Sequence, residues 1–128
     1  MFFPINIDNS HWVLVIALMQ QKRILYRDAL GGDGKKYTTV IMQYLGDEMR
    51  DKLSVVMPKK EQAQWDVQPI PPAESPQQQN KFDCGMFVCM YADYMLQDLP
   101  ELFSQQDMPM LRRKLSYCIL TGCLLYTV

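Results

Sequence analysis

The run His11-Trp12-Val13-Leu14-Val15-Ile16-Ala17-Leu18-Met19 limits the folds open to this chain more than any other stretch. It is β-branched, aromatic and continuously apolar, without the alternation of a strand that shows one face to water. A strand of this kind is buried on both faces, so the sheet it belongs to needs helices on each side. The run is also far too short to span a bilayer. Upstream, Phe2 to Ile7 contains Pro4 and reads as an edge strand or the approach to one, separated from the run by the turn cluster Asp8-Asn9-Ser10. Downstream, the polar turn Gln20-Gln21-Lys22-Arg23 leads into a second strand, Ile24-Leu25-Tyr26-Arg27-Asp28, stopped by Gly31-Gly32-Asp33-Gly34. The point midway between His11 and Asp28 falls at the edge of that polar turn. An antiparallel hairpin folded there sets the two residues opposite or nearly opposite each other, within reach of a carboxylate–imidazole bond.

Lys35 to Leu53 places Tyr37, Val40, Ile41, Tyr44, Leu45, Met49 and Leu53 on one face of a helical period, with Gly46 as a local weak point. Val55-Val56-Met57 is an extended piece or loop, and Trp65 to Ile70 a further strand ended by Pro71-Pro72. Ala73 to Asn80, rich in Pro, Ser and Gln, is a loop. Asp83 is a good N-cap for a helix from Cys84 that ends by Pro100. Asp107 can cap a last helix, with Pro109 in its first turn and Gly122 as its stop. Arg112, Arg113 and Lys114 read as a solvated basic cluster, and Leu124 to Val128 as an apolar tail. The order strand–strand–helix–strand–helix–helix describes an α+β domain, with a small, largely antiparallel sheet flanked by helices.

A chain of 128 residues makes one domain, here 1–128. The net charge of −1, from 13 basic and 14 acidic residues, offers no electrostatic case for nucleic acid or a membrane surface. Cys84, Cys89, Cys118 and Cys123 come without a secretory leader, which points to reduced thiols in an intracellular compartment, nuclear or cytoplasmic. They form no C-x-x-C pair and the single histidine lies far away, so a zinc site is not expected.

The chemistry concentrates between Gln78 and Cys84. A thiol in the first turn of a helix sits among unpaired N–H groups and the positive end of the macrodipole, which favours the thiolate. Gln78, six residues upstream, offers an amide donor for an oxyanion. His11 is the only imidazole available as a base, and Asp28 can orient it. Each residue alone also has a structural reading: Cys84 as packing, His11 as a strand-end surface residue, Asp28 as the start of a turn. Together they are the four parts of a cysteine hydrolase.

The residues that carry this chemistry also resemble a known family, the SUMO-specific and ubiquitin-like-protein-specific cysteine proteases, from about Phe3 to Leu120. Gln78-x-Asn80-x-x-Asp83-Cys84-Gly85-Met86-Phe87-Val88-Cys89 is similar to the family's nucleophile segment, His11-Trp12 to its His-Trp pair, and Tyr26-x-Asp28-x-x-Gly31-Gly32 to its aspartate motif. Phe103-x-Gln105-x-Asp107-Met108-Pro109-x-x-Arg112 resembles the segment after the nucleophile helix in the SUMO-directed branch. The resemblance implies a papain-like core with Cys84 as nucleophile, His11 as general base, Asp28 as orienter and Gln78 as oxyanion donor. Trp12 would roof a tunnel for a Gly-Gly tail, a shape suited to glycine because it alone is slim enough to pass extended under an indole. The implied reaction is hydrolysis after the terminal glycine of SUMO or a related modifier, by a monomer that needs no cofactor. Two departures are visible. Arg27-Asp28-Ala29 stands where the family more often has an aromatic, Asp and a small hydroxyl residue. The chain is also shorter than family catalytic domains and begins just before the His11 strand, as expected of a partial domain, either a fragment of a larger protein or a shortened gene product. A module that binds a ubiquitin-like protein with little or no cleavage is the alternative.

Overall fold

A computed structural model describes residues 1–69 and 74–125. Its elements are β1 (Phe2–Ile7), β2 (His11–Leu18), β3 (Arg23–Arg27), α1 (Lys35–Leu53), α2 (Lys59–Gln62), β4 (Asp66–Pro69), α3 (Cys84–Leu96), a 3-10 turn (Gln105–Asp107) and α4 (Met108–Thr121). The strands form one sheet in the order β1-β2-β3-β4, antiparallel except for the parallel pair β3–β4. The expected α+β class and the edge position of the Pro4 strand are both found. The end of the strand expected to run through Ile70, its Pro71-Pro72 stop and Ala73 lie outside the described residues, as do the last three residues of the apolar tail.

The apolar run behaves as a partition. Val13, Val15 and Ala17 point to one face, where they pack with Ile24, Tyr26, Met57, Trp65 and, from α1, Ile41 and Leu45. Leu14 and Ile16 point to the other, against Met86, Phe87, Met90 and Tyr91 of α3 and Met108 and Leu111 of α4. Strand alternation thus divides one sequence between two cores, which is why no polar residue interrupts it. Phe87, Tyr91, Tyr94 and Phe103 form an aromatic cluster on the α3 side, with centroids 5.2–6.1 Å apart.

Three local expectations need correction. In α1 the buried face is Thr38, Ile41 and Leu45, whereas Val40, Tyr44 and Leu53 are exposed. The apolar stripe is wider than the contact, and Tyr44 at its flank turns edge-on to Phe3 of β1, 6.0 Å away. Asp107 occupies the N-cap position of α4 but makes no side-chain capping bond there. Its carboxylate accepts from Ser104 N (2.8 Å) and Oγ (2.9 Å), so Ser104 is the cap and Asp107 closes a capping box over the 3-10 turn. Short helix α2 was not anticipated. Pro109 and Gly122 take the expected places at the two ends of α4, Gly122 with φ 67°.

Candidate active site

The hairpin that carries His11 and Asp28 is set two residues further along than direct opposition requires. β2 pairs with β3 as Leu14↔Arg27 through Leu18↔Arg23, and the Cα partner of His11 is Ile7 on β1. The strand runs on through Leu18, and Lys22 closes the turn in a left-handed conformation (φ 51°). Asp28 therefore follows the end of β3 and reaches His11 diagonally on the same face. His11 Nε2 stands 2.7 Å from Asp28 Oδ1. With a carboxylate at Nε2 the proton resides there, and Nδ1, which has no hydrogen-bond partner among the described residues, is left as the acceptor.

Asp28 is held from four directions. Oδ1 also accepts from Leu30 N (2.8 Å), and Oδ2 accepts from Gly32 N (3.1 Å) and the Tyr26 hydroxyl (3.2 Å). Burial, then the Asp28 charge, pushes the Tyr26 phenol far above its ordinary range, so it remains a donor. The glycines after Asp28 are steric requirements. A Cβ on Gly32 would fall 2.6 Å from Asp28 Oδ2, and one on Gly34 (φ 63°) would enter the Tyr26 ring. Arg27, the departure beside Asp28, takes no part in this support. It lies buried on the opposite face, with Nε donating to Glu101 at 2.9 and 3.2 Å. Its Nη1 has no partner among the described residues.

Cys84 opens α3 as expected and is 6% exposed. The Trp12 indole stands beside the next residue, with its Cδ1 3.8 Å from where a Cβ on Gly85 would be. The loop before Cys84 is pinned at several places: Gln78 N donates to Ala29 O (2.9 Å), next to Asp28, and the hydroxyl of fully buried Tyr91 donates to Pro76 O. The Gln78 side chain is buried, and its Nε2 donates to Asn80 O at 2.6 Å. An amide nitrogen carries two N–H groups, so one donor remains.

Asp83 departs from expectation. It occupies the N-cap position of α3 but makes no side-chain capping bond. Its carboxylate instead accepts from Asn80 Nδ2 (2.6 Å), Gln105 Nε2 (2.7 Å), and Arg112 Nε (2.9 Å) and Nη2 (2.5 Å). Burial would raise the Asp83 carboxyl, but the hydrogen bonds from Asn80, Arg112 and Gln105 prevail and hold it below the ordinary carboxylate range. Arg112 is exposed, as a member of a solvated basic cluster would be, but its guanidinium also grips the buried Asp83 carboxylate. Only its place in the Gln105…Arg112 motif could have marked it, since a partner 29 residues away follows no local period.

A sequence model of the Ulp1 protease family's C-terminal catalytic domain matches residues 1–123. Sentrin-specific protease 2 of Homo sapiens is 39% identical over 110 residues, which is 86% of this chain and 18% of that protein. Ubiquitin-like-specific protease 1 of Saccharomyces cerevisiae is 32% identical over 123 residues, 96% of this chain and 19% of that protein. Among solved structures, the Ulp1 protease domain in complex with Smt3, the yeast ortholog of SUMO, superposes with a TM-score of 0.70 at 31% identity. It covers 94% of this chain and 51% of that one. The SUMO protease Ulp1 with its catalytic cysteine oxidized to a sulfonic acid gives a TM-score of 0.74 at 30% identity, with 94% and 52% covered. The chain spans about a fifth of these curated relatives and about half of the solved chains. A match running through both strands, the aspartate turn, the Cys84 helix and α4 places this chain in the Ulp1 protease family.

Proposed function

We propose that the protein is a thiol peptidase that hydrolyses the bond after the C-terminal glycine of SUMO or a closely related ubiquitin-like modifier. The bond cut is an isopeptide to a substrate lysine or the peptide bond of a precursor. The observation that carries this reading is the His11–Asp28 pair, whose Nε2-bound carboxylate leaves Nδ1 as the basic nitrogen. In this mechanism Nδ1 takes the Cys84 proton, the thiolate attacks the glycine carbonyl, and a tetrahedral oxyanion forms. The remaining N–H of Gln78 donates to that oxyanion, with the unpaired amides at the start of α3. Imidazolium then protonates the leaving amine, the acyl-thioester forms, and water activated by His11 releases the free glycine carboxylate. Asp28 holds the ring and stabilises the imidazolium without itself taking the proton. Trp12, whose indole lies near Gly85, would roof the approach of an extended Gly-Gly tail, which alone is slim enough to pass beneath it.

Residues 1–128 form part of one catalytic domain on this reading, working as a monomer in the nucleus or cytoplasm without a cofactor. SUMO bearing a C-terminal electrophile is the test. A covalent adduct is expected with the protein and none with Cys84→Ala. Binding of SUMO without any Cys84-dependent adduct would replace the enzyme by a binding module.

A further inference from the structure

The N-cap of α3 poses an electrostatic problem. An aspartate at this position ordinarily turns its carboxylate onto the first free N–H groups of the helix and places a negative charge there. That is unfavourable for a neighbouring residue meant to carry a thiolate, and it occupies donors an oxyanion could use. Asp83 does neither. Both oxygens face away from the helix start, one to the Arg112 guanidinium and the other to Asn80 and Gln105. The first intrahelical bond is Phe87 N to Asp83 O (3.0 Å), and the N–H groups of Cys84, Gly85 and Met86 have no partner among the described residues.

We propose that Arg112 and Gln105 are positioning residues that act through Asp83, drawing its carboxylate off the start of α3 and neutralising it, so that the helix terminus stays open to negative charge at Cys84. This rests on the reading of Cys84 as the nucleophile. Gln105 does more than hold the carboxylate, because its Oε1 accepts from Gln79 N at 2.8 Å. Arg112 Nη2 likewise donates to Phe82 O at 3.0 Å. The loop between Gln78 and Cys84 is thus gripped from the 3-10 turn and α4 along its backbone as well. The low-lying Asp83 carboxyl fits a pair that stays ionised, with its charge spent on Arg112.

The charged and titratable groups that Arg112 meets here are Asp83 before the helix and, on α3 itself, the Cys89 thiol, which burial pushes up and the Arg112 charge draws down. The substitutions needed leave His11 and Asp28 of the sheet untouched. Alkylation of Cys84 by iodoacetamide, followed across pH by mass spectrometry of the Cys84 peptide, reads the thiolate without any modifier protein. Arg112→Leu should raise the midpoint of that profile by about 0.5–1 pH unit, a roughly three- to tenfold loss of thiolate near neutrality. Asp83→Asn should lower it by a similar amount, and the double variant should return close to the parent. Singles that shift the midpoint the same way, or that lower Tm with no shift, make the cluster a structural clamp only and overturn the proposal. If Arg112→Leu does not fold, Asp83→Asn must still move the midpoint down, while Arg112→Lys leaves it in place at a lower Tm. No downward shift in Asp83→Asn overturns the proposal too. Opposed shifts in a protein that forms no adduct with electrophilic SUMO would sink the substrate reading and leave this one standing.

Discussion

Asp28 and Asp83 are both buried acidic residues, and each accepts four hydrogen bonds, but they are built in different ways. Asp28 takes its bonds from Leu30 N, Gly32 N, Tyr26 and His11, so three of the four come from within four residues of it. Asp83 takes three of its four from Gln105 and Arg112, brought in from the 3-10 turn and α4. A carboxylate supported by its own turn can be positioned before the rest of the chain has packed. One supported by a distant helix depends on that helix having docked. The base side of the site is therefore a local construction, and the nucleophile side is a product of tertiary structure.

The largest effect that could break this contrast belongs to Asp28. Asp28→Asn keeps the side chain's shape but sets an NH2 where either His11 and Leu30 N or Gly32 N and Tyr26 need an acceptor, and it removes the charge that supports the imidazolium; kcat/KM on a fluorogenic SUMO amide should fall about 10³–10⁴-fold. A fall under tenfold would remove Asp28 from the mechanism. Next comes the buried Arg27–Glu101 pair, which ties β3 to the segment after α3. Glu101→Ala strands a buried guanidinium and should cost about 3 kcal/mol in denaturant unfolding. Gly32→Ala should cost about 1–2 kcal/mol of stability while reducing activity further than that loss explains, because the new Cβ displaces Asp28 Oδ2. Tyr26→Phe removes one of four bonds and should reduce kcat/KM by about tenfold or less. The acid limb of stability tests the Asp83 half of the comparison by a different route. The Asp83 carboxyl lies lower in the folded chain than in the unfolded one, so its stabilising contribution is present above about pH 4 and is lost as pH falls below that. Unfolding followed between pH 7 and pH 3 should show Asp83→Asn losing less stability on acidification than the parent. An unchanged acid limb would mean that Arg112 does not hold this charge.

The same division explains what could be read from the sequence. The two-sided burial of β2, the helix over Lys35–Leu53 and the glycines after Asp28 follow from local period and turn chemistry, and all were legible. The pairing of His11 with Asp28 was legible too, although its register was not, because a turn closed by a left-handed lysine has no glycine signature at that position. In the Asp83 cluster the sequence shows the two positions but not their meeting: Asp83 stands at the N-cap without capping, and Arg112, on the surface, reaches back to hold it. An N-cap aspartate and a charged helical face look the same in sequence whether they meet or not. Asp107 likewise stands at an N-cap without capping, since the serine three residues earlier competes for the same turn and wins.

The alternation along β2 also determines how the protein tolerates change. A substitution at an even position such as Leu14 or Ile16 is felt by the layer carrying the nucleophile helix, and one at Val13 or Val15 by the layer carrying α1. The two layers can therefore vary almost independently, one residue type at a time. Insertion or deletion of a single residue within the strand has no such privacy, because it exchanges the two layers' side chains and moves His11 and Trp12 to each other's faces at once.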